Sequence, residues 1–188
     1  MQDIDTLSDE AIIERVRAGE AHVYGLIMDR YADKLVRYGR KFVVDSTAIE
    51  DAVQDVFTNA YCNINSFDTS RKFQSWIYRI AHNAFVNLLR QKKRAWLSVE
   101  WDTLVAIPSF DTHDEDERER KEMATLIDAG LEQLDEKYRE ILLLHYQHSF
   151  AYKDISEVLH IPMGTVAVRM KRAKDALKKQ LPHDVYEK

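Results

Sequence analysis

YKDISEVLHIPMGTVAVRMKRAKDALKKQL, Tyr152 to Leu181, reads as two helices joined by a tight turn. Its first part, Tyr152 to Leu159, places Ile155, Val158 and Leu159 on one face at helical spacing. Ile161-Pro162-Met163-Gly164 then breaks the pattern. Pro162 fixes its own φ and drives Ile161 out of the α region, so the first helix must stop before it. Gly164-Thr165 supplies a permissive residue and a hydroxyl to cap a second helix. In that helix Val166, Met170, Ala173, Leu177 and Leu181 form one apolar stripe. Val168, Lys171, Arg172 and Asp175 fall on or near the opposite face, and Arg169, Lys174, Lys178 and Lys179 add positive charge at the flanks. A short helix, a sharp turn and a basic second helix make a helix-turn-helix, whose second helix fits the DNA major groove. An αα-hairpin with a solvated basic face would give the same pattern.

Working outward, the chain of 188 residues is 45% hydrophobic and 31% charged, enough for one or two small domains with their own cores. With 5 Gly, 3 Pro and no alternating β-branched run, the expected class is all-α. One cysteine, Cys62, excludes an internal disulfide and suits a reducing cytoplasm. The acidic start MQDIDTLSDE lacks the basic and apolar segments of a secretory signal, and no apolar run is long enough to cross a bilayer, so no membrane insertion is expected. The net charge of −5 argues against a general nucleic-acid coat, leaving DNA contact to local basic patches.

Toward the N-terminus, Ser8 to Gly19 reads as a capped helix with Ile12, Ile13 and Val16 inward. A second helix from about Ala21 carries Val23, Leu26, Ile27, Tyr31, Leu35, Val36 and Tyr38. Asp45-Ser46 can cap the helix Thr47–Tyr61. Ile49, Ala52, Val53, Val56, Phe57 and Ala60 form its apolar side, while Glu50, Asp51 and Asp55, with Gln54 among them, line another. Three close carboxylates suggest a metal site or an acid/base pair, but no His ligand or Gly-rich loop lies nearby. An acidic docking face for a basic partner is the better functional reading, and a solvated face the plain structural one.

The polar loop NINSFDTSRK, 63–72, leads into a helix from Phe73 to Arg94. Phe73, Ile77, Ile80, Ala84 and Leu88 are expected inward, with Trp76 and Phe85 flanking; Ser75, Arg79, His82 and Val86 are expected outward, with Asn83 and Arg90 nearby. Aromatic, amide and basic side chains on a loop and adjoining helix suit single-stranded nucleic acid. The closing Arg90, Lys92, Lys93 and Arg94 also suit a helix C-terminus on dipole grounds alone. Residues 95–121, with Pro108 and an acidic run from Asp111 to Glu119, read as a flexible acidic linker, with a short helical piece near Trp96 to Leu104. The second domain is expected from about Glu122, with Asp135 capping a helix that carries Tyr138 and Ile141 to Leu144. No phosphate-binding loop, nucleophile elbow or metal signature is present; His145 and His148 stand three apart without a Cys or carboxylate partner at ligand spacing. No catalytic site, cofactor or metal is therefore expected.

Two blocks, 47–94 and 131–181, together resemble an extracytoplasmic-function sigma factor, the compact two-domain class of bacterial RNA polymerase sigma subunits. IEDAVQDVFTNAY is similar to the family's region 2.2, SFDTSRKFQSWIYRIAHNAFVNLLRQKKR to regions 2.3 and 2.4, LDEKYREILLLHY to region 4.1 and YKDISEVLHIPMGTVAVRMKRAK to region 4.2. The resemblance implies a region 2 domain over 1–94, a linker over 95–121 and a region 4 domain over 122–188. It implies that Glu50, Asp51, Gln54 and Asp55 dock on the β′ clamp of core RNA polymerase, with region 4 at the β flap. It implies that the loop Ser66, Phe67, Asp68, Thr69, Ser70, Arg71 and Lys72 takes up a flipped base of the minus-ten promoter element. Arg79, His82 and Asn83 would touch the opened strand, and Thr165, Val168, Arg169, Lys171 and Arg172 would meet the minus-thirty-five element. An anti-sigma factor is implied as the controlling partner. The chain departs from the family at Ala167-Val168, where a polar or basic pair is usual, and at His160, where Gly is frequent; Val168 could touch a thymine methyl. A free-standing helix-turn-helix regulator that binds duplex DNA without polymerase, or a protein-interaction module, would share the C-terminal half but give the acidic 47–61 face no task.

Overall fold

The computed structural model describes residues 7–96, 126–127 and 129–181. The described residues are helical and contain no strand, as expected of an all-α chain. They fall into two compact units. The first holds α1 (Asp9–Arg17), α2 (Tyr24–Gly39), α3 (Ser46–Cys62) and α4 (Phe73–Trp96). The second holds α5 (residues 126–127 and 129–132), α6 (Glu136–Leu142), the greater part of α7 (Tyr152–Leu159) and α8 (Met163–Gln180). The sequence's expected helical piece at Trp96 to Leu104, most of its linker, and its domain start at Glu122 lie outside the described residues.

Two helices of the first unit, α1 and α3, start where the sequence offers a cap. The Ser8 hydroxyl accepts the Ala11 N–H at 3.2 Å to open α1. Gly19, at φ 103, lies beyond its end in a conformation that suits glycine. Asp45 accepts the Ala48 N–H at 3.2 Å to open α3. Ile12, Ile13, Ile27, Leu35, Ile49, Val56, Phe57 and Ala60 meet in the core, and α3 packs on both α2 and α4. An aromatic cluster fills one end: Tyr38 lies edge-on to Phe42 at 5.2 Å, and Phe42 stacks on Phe85 at 5.7 Å. Gly39 lets these helices close up. A Cβ there would sit 2.7 Å from the Phe85 ring and 2.8 Å from Ile49.

The buried stripe of α4 is rotated from the one expected. Phe73, Ser75, Ile77, Tyr78, Ala81 and Phe85 are buried, whereas Ile80, Ala84 and Leu88 are half-buried. The core here is lined by Tyr31, Tyr38 and Phe67, and the flat Tyr78 ring fills it. Burial pushes the Tyr78 hydroxyl's pKa up, keeping it neutral.

In the second unit Leu131, Leu134, Ile141, Leu142, Leu144, Phe150, Ile155, Val166, Met170 and Ala173 form the core, and α6 packs along α8. Asp135 caps α6 through the Lys137 N–H. That helix widens into a π turn over Leu143–Gln147, where the His148 N–H reaches the Leu143 carbonyl at 3.1 Å. After α7, His160 takes the left-handed conformation (φ 52, ψ 41) that ends the helix. Thr165 does not cap α8. The helix starts at Met163, Pro162 stands at the cap position, and Thr165 already donates its N–H to the Pro162 carbonyl at 2.8 Å. The extended ψ of Pro162 turns its carbonyl into the first helical acceptor, which moves the start two residues upstream of Thr165.

Candidate polymerase and nucleic-acid interfaces

The first candidate surface lies on α3. Glu50, Asp51, Gln54 and Asp55 are all exposed. They span about 140° of the helix circumference at 100° per residue, opposite Ile49, Val53 and Val56. The helix carries these three acids and no basic residue. The apolar face fixes its orientation on α2 and α4, so the carboxylates form one coherent negative strip.

The second surface is the segment between α3 and α4. A turn of 3-10 helix, Ile64–Ser66, opens it, with the Ser66 hydroxyl on the Asn63 carbonyl at 2.7 Å. Asp68 then folds the chain on itself. Its Oδ1 accepts both the Ser70 N–H (3.0 Å) and the Ser70 hydroxyl (2.7 Å), and the Arg71 N–H reaches the Asp68 carbonyl at 2.9 Å. The hydrogen bonds from Ser70, helped by Arg71, hold the Asp68 carboxyl below the usual aspartate range. Asp68, Ser70, Arg71 and Lys72 are exposed and Thr69 is half-buried. Phe67 is not on the surface: only 3% exposed, it packs edge-on to Phe73 at 5.4 Å and against Trp76 at 5.3 Å. An aromatic in a polar loop is here a core residue that fastens the loop.

Arg79, His82 and Asn83 follow at i, i+3 and i+4 and so share one face of α4. Asn83 is exposed and Arg79 half-buried. His82 is half-buried too, with Nδ1 3.3 Å from the Tyr38 hydroxyl and its ring 6.0 Å from that of Phe42. The structure thus exposes Asn83 and the loop residues Ser66, Asp68, Ser70, Arg71 and Lys72, leaves Arg79 half-buried, buries Phe67 and sets His82 partly into the aromatic cluster.

Two side chains not singled out in the sequence complete this region. Arg17 of α1 donates from Nε to the Ile64 carbonyl at 3.0 Å and from Nη2 to the same oxygen and to the Phe67 carbonyl. Glu10 Oε1 accepts the N–H of Phe73, the first residue of α4, at 2.8 Å.

The third surface is α8. Val168, Lys171, Arg172 and Asp175 are exposed, Ala167 beside them as well, and Thr165 and Arg169 are half-buried. Val166, Met170 and Ala173 turn into the core, which leaves the basic strip outward. Arg169 lies close enough to the Asp135–Lys137 ion pair to add to the field that holds the Asp135 carboxyl low, a shift caused first by the Lys137 hydrogen bond. Lys174 lies over the Tyr146 ring at 5.5 Å. His145, weighed as a metal ligand, instead has Nδ1 2.8 Å from the Phe150 carbonyl. Among the described residues no three His, Cys, Asp or Glu side chains gather as a metal site, and no helix is long and apolar enough to cross a membrane.

Residues 27–95 match the family described as Sigma-70 region 2, and residues 124–177 match Sigma-70, region 4. The chain is 34% identical over 176 residues to the ECF RNA polymerase sigma factor SigW of Bacillus subtilis (strain 168), covering 90% of this chain and 94% of that one. It is 29% identical over 185 residues to the ECF RNA polymerase sigma-E factor of Haemophilus influenzae, covering 94% and 97% of the two chains. The fold is similar to that of the sigma factor RpoE of Bartonella quintana, solved with the anti-sigma factor NepR (TM-score 0.66, 20% identity, 84% and 95% of the two chains). It is likewise similar to CnrH, solved with the cytosolic domain of CnrY (TM-score 0.65, 22% identity, 94% and 96%). Two units in this order, the second ending in a basic helix-turn-helix, and identity to SigW along nearly the full length lead to one assignment: the chain belongs to the extracytoplasmic-function family of sigma-70 RNA polymerase sigma factors.

Proposed function

We infer that this chain binds core RNA polymerase, directs it to promoters with two recognised elements and assists their melting. It works in the cytoplasm and has no catalysis of its own; the polymerase supplies the chemistry. The observation that carries this reading is the run of likeness to sigma factors through both units, over 90% of the chain. A free-standing regulator would need only the second unit for DNA.

The domain roles follow as 1–94 for polymerase docking and the minus-ten element, 95–121 as the connection, and 122–188 for the minus-thirty-five element and the β flap. Glu50, Asp51, Gln54 and Asp55 dock on the β′ clamp through their negative strip. The loop 66–72 with Arg79, His82 and Asn83 takes the opened strand, where a base held out of the stack must regain a few kcal/mol from its contacts. Lys171 and Arg172 meet phosphates or guanine edges, and Val168 a thymine methyl. The complex of RpoE with the anti-sigma factor NepR supports an anti-sigma partner here too.

The deciding experiment is co-elution of the chain with core RNA polymerase in competition with a primary sigma factor, for the wild type and for Asp51→Lys/Asp55→Lys. We expect competitive binding by the wild type and a loss of about tenfold or more in the double variant, with its helical content unchanged. Equal binding by the variant would remove α3 from the docking surface. No binding by either, with tight duplex binding by the chain alone, would favour the free-standing regulator.

A further inference from the structure

We propose that α1 is a brace that presets the 66–72 loop for the opened DNA strand, with Arg17 and Glu10 as its positioning residues; this rests on the reading that the loop takes that strand. Glu10 and Arg17 stand seven residues apart, two turns, so both project from one face of α1. One grips each end of the loop. Arg17 donates to the Ile64 and Phe67 carbonyls on the near side, with its guanidinium 6.0 Å from the centre of the Phe67 ring. Glu10 accepts the Phe73 N–H on the far side. That N–H is one of the first four of α4, which have no partner within the helix, and a carboxylate there also meets the positive end of the helix dipole.

The brace is itself anchored. Ile12 and Ile13 are fully buried and Val16 nearly so. Asp9 accepts from Arg30 at 2.7 Å and from the Tyr31 hydroxyl at 2.5 Å. The loop is therefore fixed at 64, 67 and 73, and its exposed residues Asp68, Ser70, Arg71 and Lys72 stand between the fixed points. A loop held in one geometry before it meets a strand loses less conformational freedom on binding it. α1 lies outside residues 27–95, the segment that matches region 2, so this role is not part of that match.

The test uses holoenzyme assembled from the full chain and core RNA polymerase, on duplex templates enriched from randomised DNA by the wild-type holoenzyme. Three readouts are compared: affinity for core polymerase, permanganate reactivity of thymines in the melted region, and amide exchange over 66–72. Arg17→Ala and Glu10→Ala are expected to speed exchange in the loop and cut permanganate reactivity about tenfold, with core affinity within about twofold of wild type. Arg17→Lys keeps the charge but not the fork, and Glu10→Gln keeps an acceptor, so each should recover part of the loss. An Asp68→Ala/Arg71→Ala variant tests the loop itself. Should it lose melting while both α1 variants melt normally with a mobile loop, the brace is structural only and the proposal fails. Should neither the loop variant nor the α1 variants affect melting, the loop reading fails and takes the proposal with it. Full recovery by Arg17→Lys would show that charge alone suffices and would overturn the two-carbonyl grip. If Arg17→Ala does not fold, Glu10→Ala decides on the same readouts.

Discussion

Asp68 and His160 show how single residues set local geometry at two turns, one in each unit. The Asp68 carboxylate is stabilised by Ser70 and Arg71, so its folded pKa lies below the 3.8 of an ordinary aspartate. The sign follows directly: the contribution to loop order is complete above the unfolded value and is lost as pH falls through the folded one. NMR titration should therefore place Asp68 below 3.8, Ser70→Ala should raise it, and amide exchange over 68–71 should show no loss of order between neutral pH and about pH 5. His160 occupies a left-handed position that costs an L-residue roughly 1–2 kcal/mol. His160→Gly removes that strain but adds freedom to the unfolded chain. A net gain of about 1 kcal/mol is expected, seen as roughly fivefold slower exchange of the Val166 and Met170 amides. Unchanged exchange would mean that the turn stores no strain. The sequence marked His160 as a departure but not as left-handed, because the following Ile161-Pro162 gave the stop on its own.

At the scale of elements, Gly39 controls how closely α2, α3 and α4 approach. Gly39→Ala would press a methyl into the Phe85 ring and Ile49, which belong to two different helices. We expect a loss of about 1–3 kcal/mol for the first unit in urea unfolding followed at α2 and α4 amides. A neutral result would mean that Phe85 can swing aside freely. Among the described residues helix existence was legible because apolar spacing and the caps at Ser8, Asp45 and Asp135 agree. Phase was less so: α4 turned on whether Ile80 or Tyr78 faced inward, and counting residues does not say which shape fills a gap among aromatics. The π turn after α6 left no signal in a run of leucines. The acidic face of α3 was plain because charge needs no partner to be noticed. Phe67 was not, since polar neighbours hid its burial. Arg17 and Glu10 escaped notice because their partners lie 47 and 63 residues along the chain.

Across the whole molecule, charge is divided rather than spread. The chain carries a net −5, yet α8 has six Lys or Arg against one Asp, while α3 has three acids and no base. Repulsion by the acidic remainder should keep the isolated chain from holding DNA well. Fluorescence anisotropy with a promoter fragment at one fixed salt concentration should give the chain alone at least about tenfold weaker binding than the holoenzyme. Equal affinities would mean that polymerase adds nothing to recognition. The grip of α1 on the 66–72 loop has its own consequence at this scale. Arg17 and Glu10 hold two carbonyl oxygens and one amide hydrogen, groups that nearly every amino acid presents alike. Loop side chains outside the Asp68–Ser70 turn, which holds itself through the Asp68 carboxylate, can therefore be exchanged while the frame that displays them stays as it is. On the proposed reading of this loop, a change of promoter preference is a matter of spelling, reachable by point substitutions without refolding the protein around them.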